Sequence, residues 1–169
     1  MFSVIFPGQG SQSVGMAKNL YNNYRFIKEL FDKADEILGF SLSKIILEGP
    51  KEELDQTENT QPAIFLVSYS IFEMIKRETE LDLGKAKYFA GHSLGEYTAL
   101  TASGSLDFDQ AIRLLKIRGN AMQSAVPKDE GGMLAVLGTE IKNIYDLLQE
   151  NEKKYEFNFV ILKKLRTLA

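Results

Sequence analysis

Residues 89–100 read FAGHSLGEYTAL, and inside them a Gly-x-Ser-x-Gly pentapeptide joins a short apolar run to a helix-like run. A serine flanked this way fits a strand–turn–helix elbow, where side chains two residues either side of the serine would collide with neighbouring backbone. Gly91 and Gly95 are the residues such a turn demands, and Ser93 is the candidate nucleophile. A helix expected from Leu94 to about Ser103 would aim its N-terminal N–H groups at the serine. Those donors and the helix dipole favour the negative charge of a tetrahedral intermediate. The alternative is a packing turn with a helix-capping serine.

A serine nucleophile needs a base. The chain has one histidine, His92, directly before the serine. Adjacent side chains of an extended segment point to opposite sides, so His92 is badly placed to take the Ser93 proton and reads better as a packing residue. Asp, Glu or Lys could substitute in principle, but no carboxylate stands out by position.

The rest of the chain suits an α/β frame for this elbow. FSVIF (2–6) is a strand pattern broken by PGQGSQ, and a helix is expected from Ser11 to Tyr21. Phe26, Ile27, Leu30, Phe31, Ala34, Ile37 and Leu38 recur at helical spacing, with Gly39 as the stop. LSKIILEGP predicts a short helix ended by Gly49 and Pro50. TQPAIFLVSYSIFEMIKRE predicts a long buried helix with Thr60 as cap and Pro62 in its first turn. AKYFAG reads as a short buried strand, and Asp107 with Gln110 makes a capping-box pattern for a helix over 108–124. GGMLAVLG reads as a further strand, and TEIKNIYDLLQENEKK as an amphipathic helix capped by Thr139. Few strands, many helices and strand-to-helix turns point to an α/β architecture with a parallel sheet.

Composition narrows the chemistry further. A length of 169 residues with 44% hydrophobic residues is enough for one core. A net charge of −3 gives no general attraction to nucleic acid or an anionic membrane. The absence of cysteine excludes disulfides, thiolate metal sites and a cysteine nucleophile. MFSVIFPG lacks the start of a signal peptide, and no apolar run approaches the ~20 residues that span a bilayer. A cytoplasmic protein is the expectation.

Two further features call for ligands. In DQAIRLLKIRGNAMQ the apolar stripe is Ala111, Leu114, Leu115, Ala121 and Met122, and Arg118 falls on it. An unpaired buried guanidinium is costly, so it needs an anionic partner or an escape to water. An internal salt bridge and snorkelling are the structural readings; a fork gripping a substrate carboxylate is the functional one. PGQGSQ is glycine-rich enough to let backbone approach a ligand, is not a Walker motif, and places the N–H of Gln9 as a candidate second oxyanion donor.

Taken in order, FPGQGSQSVGM, TQPA, GHSLGEY, IRGNAMQ and AVPKDEGGMLAVLG resemble the malonyl-CoA:acyl carrier protein transacylase family of fatty acid synthesis, from residue 1 to about 155. Polyketide acyltransferase domains share the pattern. The resemblance implies a partial α/β-hydrolase-like acyltransferase subdomain with a parallel sheet over 1–127, and the beginning of a ferredoxin-like small subdomain over 128–169. It implies that Ser93 becomes acylated, that the N–H groups of Gln9 and Leu94 form the oxyanion hole, and that Arg118 binds the malonyl carboxylate with Gln61 near the acyl site. Malonyl-CoA and acyl carrier protein are the implied partners, without nucleic acid, membrane, metal or cofactor, and the full-length relatives are expected to be monomeric.

The resemblance also implies relatives roughly twice as long, whose catalytic histidine lies in the second half. YEFNFVILKKLRTLA departs from the family pattern, so the chain is expected to leave it near Tyr155 and to have little or no activity alone. A serine esterase or thioesterase, and a non-catalytic fragment binding carrier protein or CoA, are the rival readings.

Overall fold

β1 (Ser3–Phe6) pairs in parallel with β2 (Tyr88–Gly91), with Ser3 opposite Tyr88, Val4 opposite Phe89, Ile5 opposite Ala90 and Phe6 opposite Gly91. The computed structural model describes residues 1–125, 136 and 138–152. Side chains alternate across a strand, so Val4, Phe6 and Phe89 turn to one face, where they pack with Phe72 and Ala99. Ile5 (75% exposed) and Tyr88 (59%) stand on the other face. The expectation of a buried strand at AKYFAG is thus half right: the strand is there, but only one of its faces is covered.

Between the strands run α1 (Lys18–Asn23), α2 (Arg25–Leu38), α3 (Leu42–Glu48), α4 (Lys51–Leu54) and α5 (Thr57–Glu78). After β2 come α6 (Gly95–Ala102) and α7 (Phe108–Ala125), and then α8 (Ile141–Glu152). The chain divides into two compact units, Met1–Gly131 and Gly132–Ala169, with α8 in the second.

Helix α5 is the axis of the first unit. Its residues from Asn59 through Ser68 are buried without interruption, so it has no solvent face over that stretch. Helix α2 presents Ile27, Phe31 and Ala34, one stripe at helical spacing, to the same core. It ends at Gly39, whose φ of 75° is the left-handed stop that glycine adopts freely.

The helix predicted over Ser11–Tyr21 is displaced. Residues 11–17 make loop and turns, and α1 starts only at Lys18. Gly15 sits at φ 84° and donates its N–H to the Ile46 carbonyl, which ties the loop to α3 instead of to a helix of its own. Thr60 is not a cap either. Helix α5 begins three residues earlier, and the Thr60 hydroxyl reaches back to the Leu54 carbonyl at 2.5 Å, joining α5 to the short α4 that the sequence pattern missed. On α7 the buried seam is Ala111, Ile112, Leu115 and Gly119; Leu114 is 43% exposed, so the predicted stripe is rotated. The strand expected at GGMLAVLG lies almost wholly outside the described residues. Helix α8 forms within the predicted amphipathic stretch but starts at Ile141, so Thr139 is not its cap: the Thr139 hydroxyl accepts from the Asn143 side chain, and the Asn143 N–H goes to the Glu140 carbonyl.

Candidate active site

Parallel pairing puts the carboxyl ends of β1 and β2 side by side, the place where open α/β sheets hold ligands. The loop after β1 is PGQG and the loop after β2 is the serine elbow. The ladder continues one residue further, the His92 N–H donating to the Phe6 carbonyl at 3.1 Å.

The elbow has the geometry its sequence demands. Ser93 has φ 54°, in the left-handed region that non-glycine residues enter at a cost of about 1–2 kcal/mol. Gly91 and Gly95 make that turn sterically feasible. A Cβ at Gly91 would stand 1.9 Å from the Gly95 carbonyl carbon, and one at Gly95 would stand 2.6 Å from the carbonyl oxygens of both Phe6 and Pro7. Leu94 follows, fully buried, as the residue that precedes α6 and caps its N-terminus. The N–H groups of Gly95 and Glu96 are taken by the carbonyls of His92 and Ser93. Those of Gln9 and Leu94 have no protein acceptor among the described residues.

The imidazole of His92 lies against the first loop: a Cβ at Gly8 would meet its Nδ1 at 2.4 Å. The ring thus packs over Gly8, as the alternation argument for His92 anticipates.

The PGQG loop is pinned from below. The Gln9 side chain donates to the Thr57 hydroxyl at 3.3 Å, at the start of α5. The Gln12 amide accepts from the Gly10 N–H at 2.8 Å and donates to Asp55 at 2.9 Å. The hydrogen bond from Lys51, and then that from Gln12, hold the Asp55 carboxyl below the usual carboxylate range.

Arg118 completes the group. Its Nη2 donates to Ser93 Oγ at 3.1 Å and its Nη1 to Gln61 Oε1 at 2.6 Å. Gln61 is fully buried, and its own Nε2 donates to the Met122 sulfur at 3.1 Å. Arg118 is half-buried at the edge of the α7 seam and makes no salt bridge among the described residues. Three of the five residues singled out in the sequence, Ser93, Arg118 and Gln61, are therefore linked by hydrogen bonds. Gln9 and Leu94 stand on the two adjoining loops.

Residues 3–149 match the acyl transferase domain family. The chain belongs to that family. It is 41% identical, over 152 residues, to the malonyl CoA-acyl carrier protein transacylase of Haemophilus influenzae, covering 90% of the chain and 48% of that protein. In structure it is similar to the acyl-carrier-protein-S-malonyltransferase of Bartonella henselae, with a TM-score of 0.82 at 40% identity, over 90% of the chain and 49% of that one. It is also similar to a malonyl-transacylase solved in complex with a type II PKS acyl-carrier protein, with a TM-score of 0.79 at 40% identity, over 88% of the chain and 47% of that one. The chain spans about half the length of the curated relatives it matches. The helices and small parallel sheet of this chain are accordingly a partial α/β acyltransferase fold.

Two residues that carry the site escaped the sequence reading. Gly119 lets α7 cross the start of α5 closely, since a Cβ there would stand 2.6 Å from the Glu58 Cα. That crossing is what brings Arg118 to Gln61. The signal was present: a glycine inside a helix costs about 1 kcal/mol and needs a packing reason. Gly119→Ala is expected to destabilise the chain by about 2 kcal/mol, because rigid backbone must shift to admit the methyl group. Urea unfolding of the two proteins checks this, and an unchanged midpoint would contradict it. Met122 reads in sequence as a stripe residue, and nothing in the pattern shows that its sulfur faces an amide.

Proposed function

We propose that this chain carries the acyl-accepting serine of a malonyl transferase that moves malonyl groups from malonyl-CoA to the phosphopantetheine thiol of an acyl carrier protein. The observation that carries the reading is the Arg118 guanidinium, held by buried Gln61 on one side and bonded to Ser93 Oγ on the other. A fixed cation beside a nucleophile suits an acyl group that ends in a carboxylate, which a guanidinium grips by two parallel hydrogen bonds. A neutral ester or acyl chain gains nothing from it, which is why the transferase reading stands ahead of an esterase or thioesterase.

In this reading Ser93 Oγ attacks the thioester carbonyl, and the oxyanion is met by the N–H groups of Gln9 and Leu94. The C–S bond breaks, CoA leaves as the thiol, and malonyl remains as an ester on Ser93. The carrier-protein thiol then attacks that ester and Ser93 recovers its proton. A cytoplasmic location belongs to the same reading, as does the assignment of residues 128–169 to the start of a ferredoxin-like small subdomain.

The proton of Ser93 needs an acceptor, and His92 is packed against Gly8. The family resemblance puts the histidine base in the second half of the domain. Without that base the chain is expected to acylate slowly, keeping the about 10³–10⁴-fold advantage over water that oxyanion donors and binding supply in comparable enzymes. Incubation with malonyl-CoA followed by intact-mass measurement and peptide mapping tests this. A slowly formed single adduct on the Ser93 peptide, absent from Ser93→Ala, is the expected result. A folded sample that stays unlabelled would overturn the claim that this chain acylates by itself, and a label that survives Ser93→Ala would overturn the role of Ser93.

A further inference from the structure

Gln61 presents an orientation problem that its neighbours must solve. A side-chain amide has a donor end and an acceptor end of nearly equal shape, and only its hydrogen bonds decide which way round it lies. Gln61 is fully buried, so water does not share in the decision. On one side stands the Arg118 guanidinium, which only donates; on the other stands the Met122 thioether, which only accepts. With the carbonyl toward Arg118 and the NH₂ toward the sulfur, both contacts are favourable. Flipped, the amide would set donor against donor and acceptor against acceptor. Met122 and Arg118 are four residues apart on α7 and so share a face, which lets one helix hold both ends of the same amide.

We propose that Met122 is a positioning residue: its sulfur fixes the orientation of the Gln61 amide, and the amide carbonyl in turn holds the Arg118 guanidinium where a substrate carboxylate would meet it. The consequence for substrate rests on the reading of Arg118 as the carboxylate clamp. The orientation itself does not.

Leucine at 122 keeps the volume and removes the acceptor. In Met122→Leu the guanidinium loses a fixed partner, and the dissociation constant for malonyl-CoA is expected to rise about threefold to tenfold, the loss of one neutral hydrogen bond. Acetyl-CoA, which lacks the carboxylate, should bind as before. Met122→Gln, whose carbonyl can accept from the Gln61 NH₂, should restore malonyl-CoA binding. A second readout needs no ligand. In ¹⁵N-labelled full chain the Arg118 Nη signal, assigned by its loss in Arg118→Lys, should be sharp in the parent protein. It should broaden toward the signal of exposed Arg25 in Met122→Leu, and sharpen again in Met122→Gln. In a Gln61→Leu background, Met122→Leu should add nothing.

An unchanged Arg118 signal in folded Met122→Leu would overturn the proposal, as would a full-sized effect in the Gln61→Leu background. If the parent protein does not bind malonyl-CoA at all, the clamp reading fails while the Arg118 signal still decides the role of Met122. If Met122→Leu does not fold, the signal in Met122→Gln and in Gln61→Leu decides it: a sharp line in the first and a broad line in the second support the proposal, and any other pair overturns it.

Discussion

Arg118→Ala is expected to slow malonyl labelling of Ser93 about 100-fold while leaving acetyl labelling within about twofold. A hydrogen bond to a charged group contributes about 1.5–3 kcal/mol, and a carboxylate fork has two that are not fully independent, so a net loss near 3 kcal/mol is about two orders of magnitude. Arg118→Lys should recover only part of this, because lysine keeps the charge and loses the planar fork. The same substitution also strips Gln61 Oε1 of its donor inside a buried site. That cost, about 1–3 kcal/mol, falls on stability and is the same whichever acyl group is offered. The two effects therefore separate when labelling by malonyl-CoA and acetyl-CoA is timed alongside a melting curve. Equal slowing with both donors would mean that Arg118 supports the fold and does not read the carboxylate.

Among the described glycines, Gly91→Ala should be the most damaging added methyl group. The added Cβ would lie 1.9 Å from the Gly95 carbonyl carbon, 2.0 Å from its oxygen and 2.3 Å from the Glu96 nitrogen. All three are backbone atoms in the first turn of α6, so no side chain can rotate away. The turn must open, and Ser93 loses the conformation that sets its hydroxyl beside Arg118. A loss of about 4 kcal/mol is expected, the upper range for one substitution and a large share of the 5–15 kcal/mol that stabilises a typical domain. Gly10→Ala is the control. Its φ is 105° but its Cβ would meet nothing within 4 Å, so only backbone strain of about 1–2 kcal/mol applies. Urea unfolding midpoints rank the two, and equal shifts would mean that strain and not collision governs the elbow.

Much of the site was legible because it is local. Gly-x-Ser-x-Gly specifies its own turn within five residues, and the structure returns that turn with Ser93 at φ 54°. The alternation of side chains along a strand argued against His92 as the base, and its ring lies against Gly8. Arg118 stood out because a cation near an apolar stripe needs an explanation. The errors fall where local signals competed with distant ones. Residues 11–17 have helix-compatible composition, but Gly15 bonds to Ile46, and that contact across the chain holds them as turns. Thr60 is a good cap by type, yet the Leu54 carbonyl lies within reach of its hydroxyl and α5 starts earlier. The predicted α7 stripe left out Gly119, which lies on the buried seam, where an added Cβ would stand 2.6 Å from the Glu58 Cα.

The sequence by itself determined the elements whose causes lie within a few residues: the two strand-to-loop junctions, the buried helix α5, the left-handed stop at Gly39 and the serine turn. Steric exclusion and side-chain periodicity act at that range and leave few alternatives. Only the tertiary structure decided that Arg118 faces both Ser93 and Gln61, and that Met122 lies at the far end of the same amide. Gln61 and Arg118 are 57 residues apart, Ser93 and Arg118 are 25, and their meeting depends on how closely α7 crosses α5. A helix crossing is set by the summed packing of two surfaces, Gly119 against Glu58 among them, and no short stretch of sequence encodes that sum.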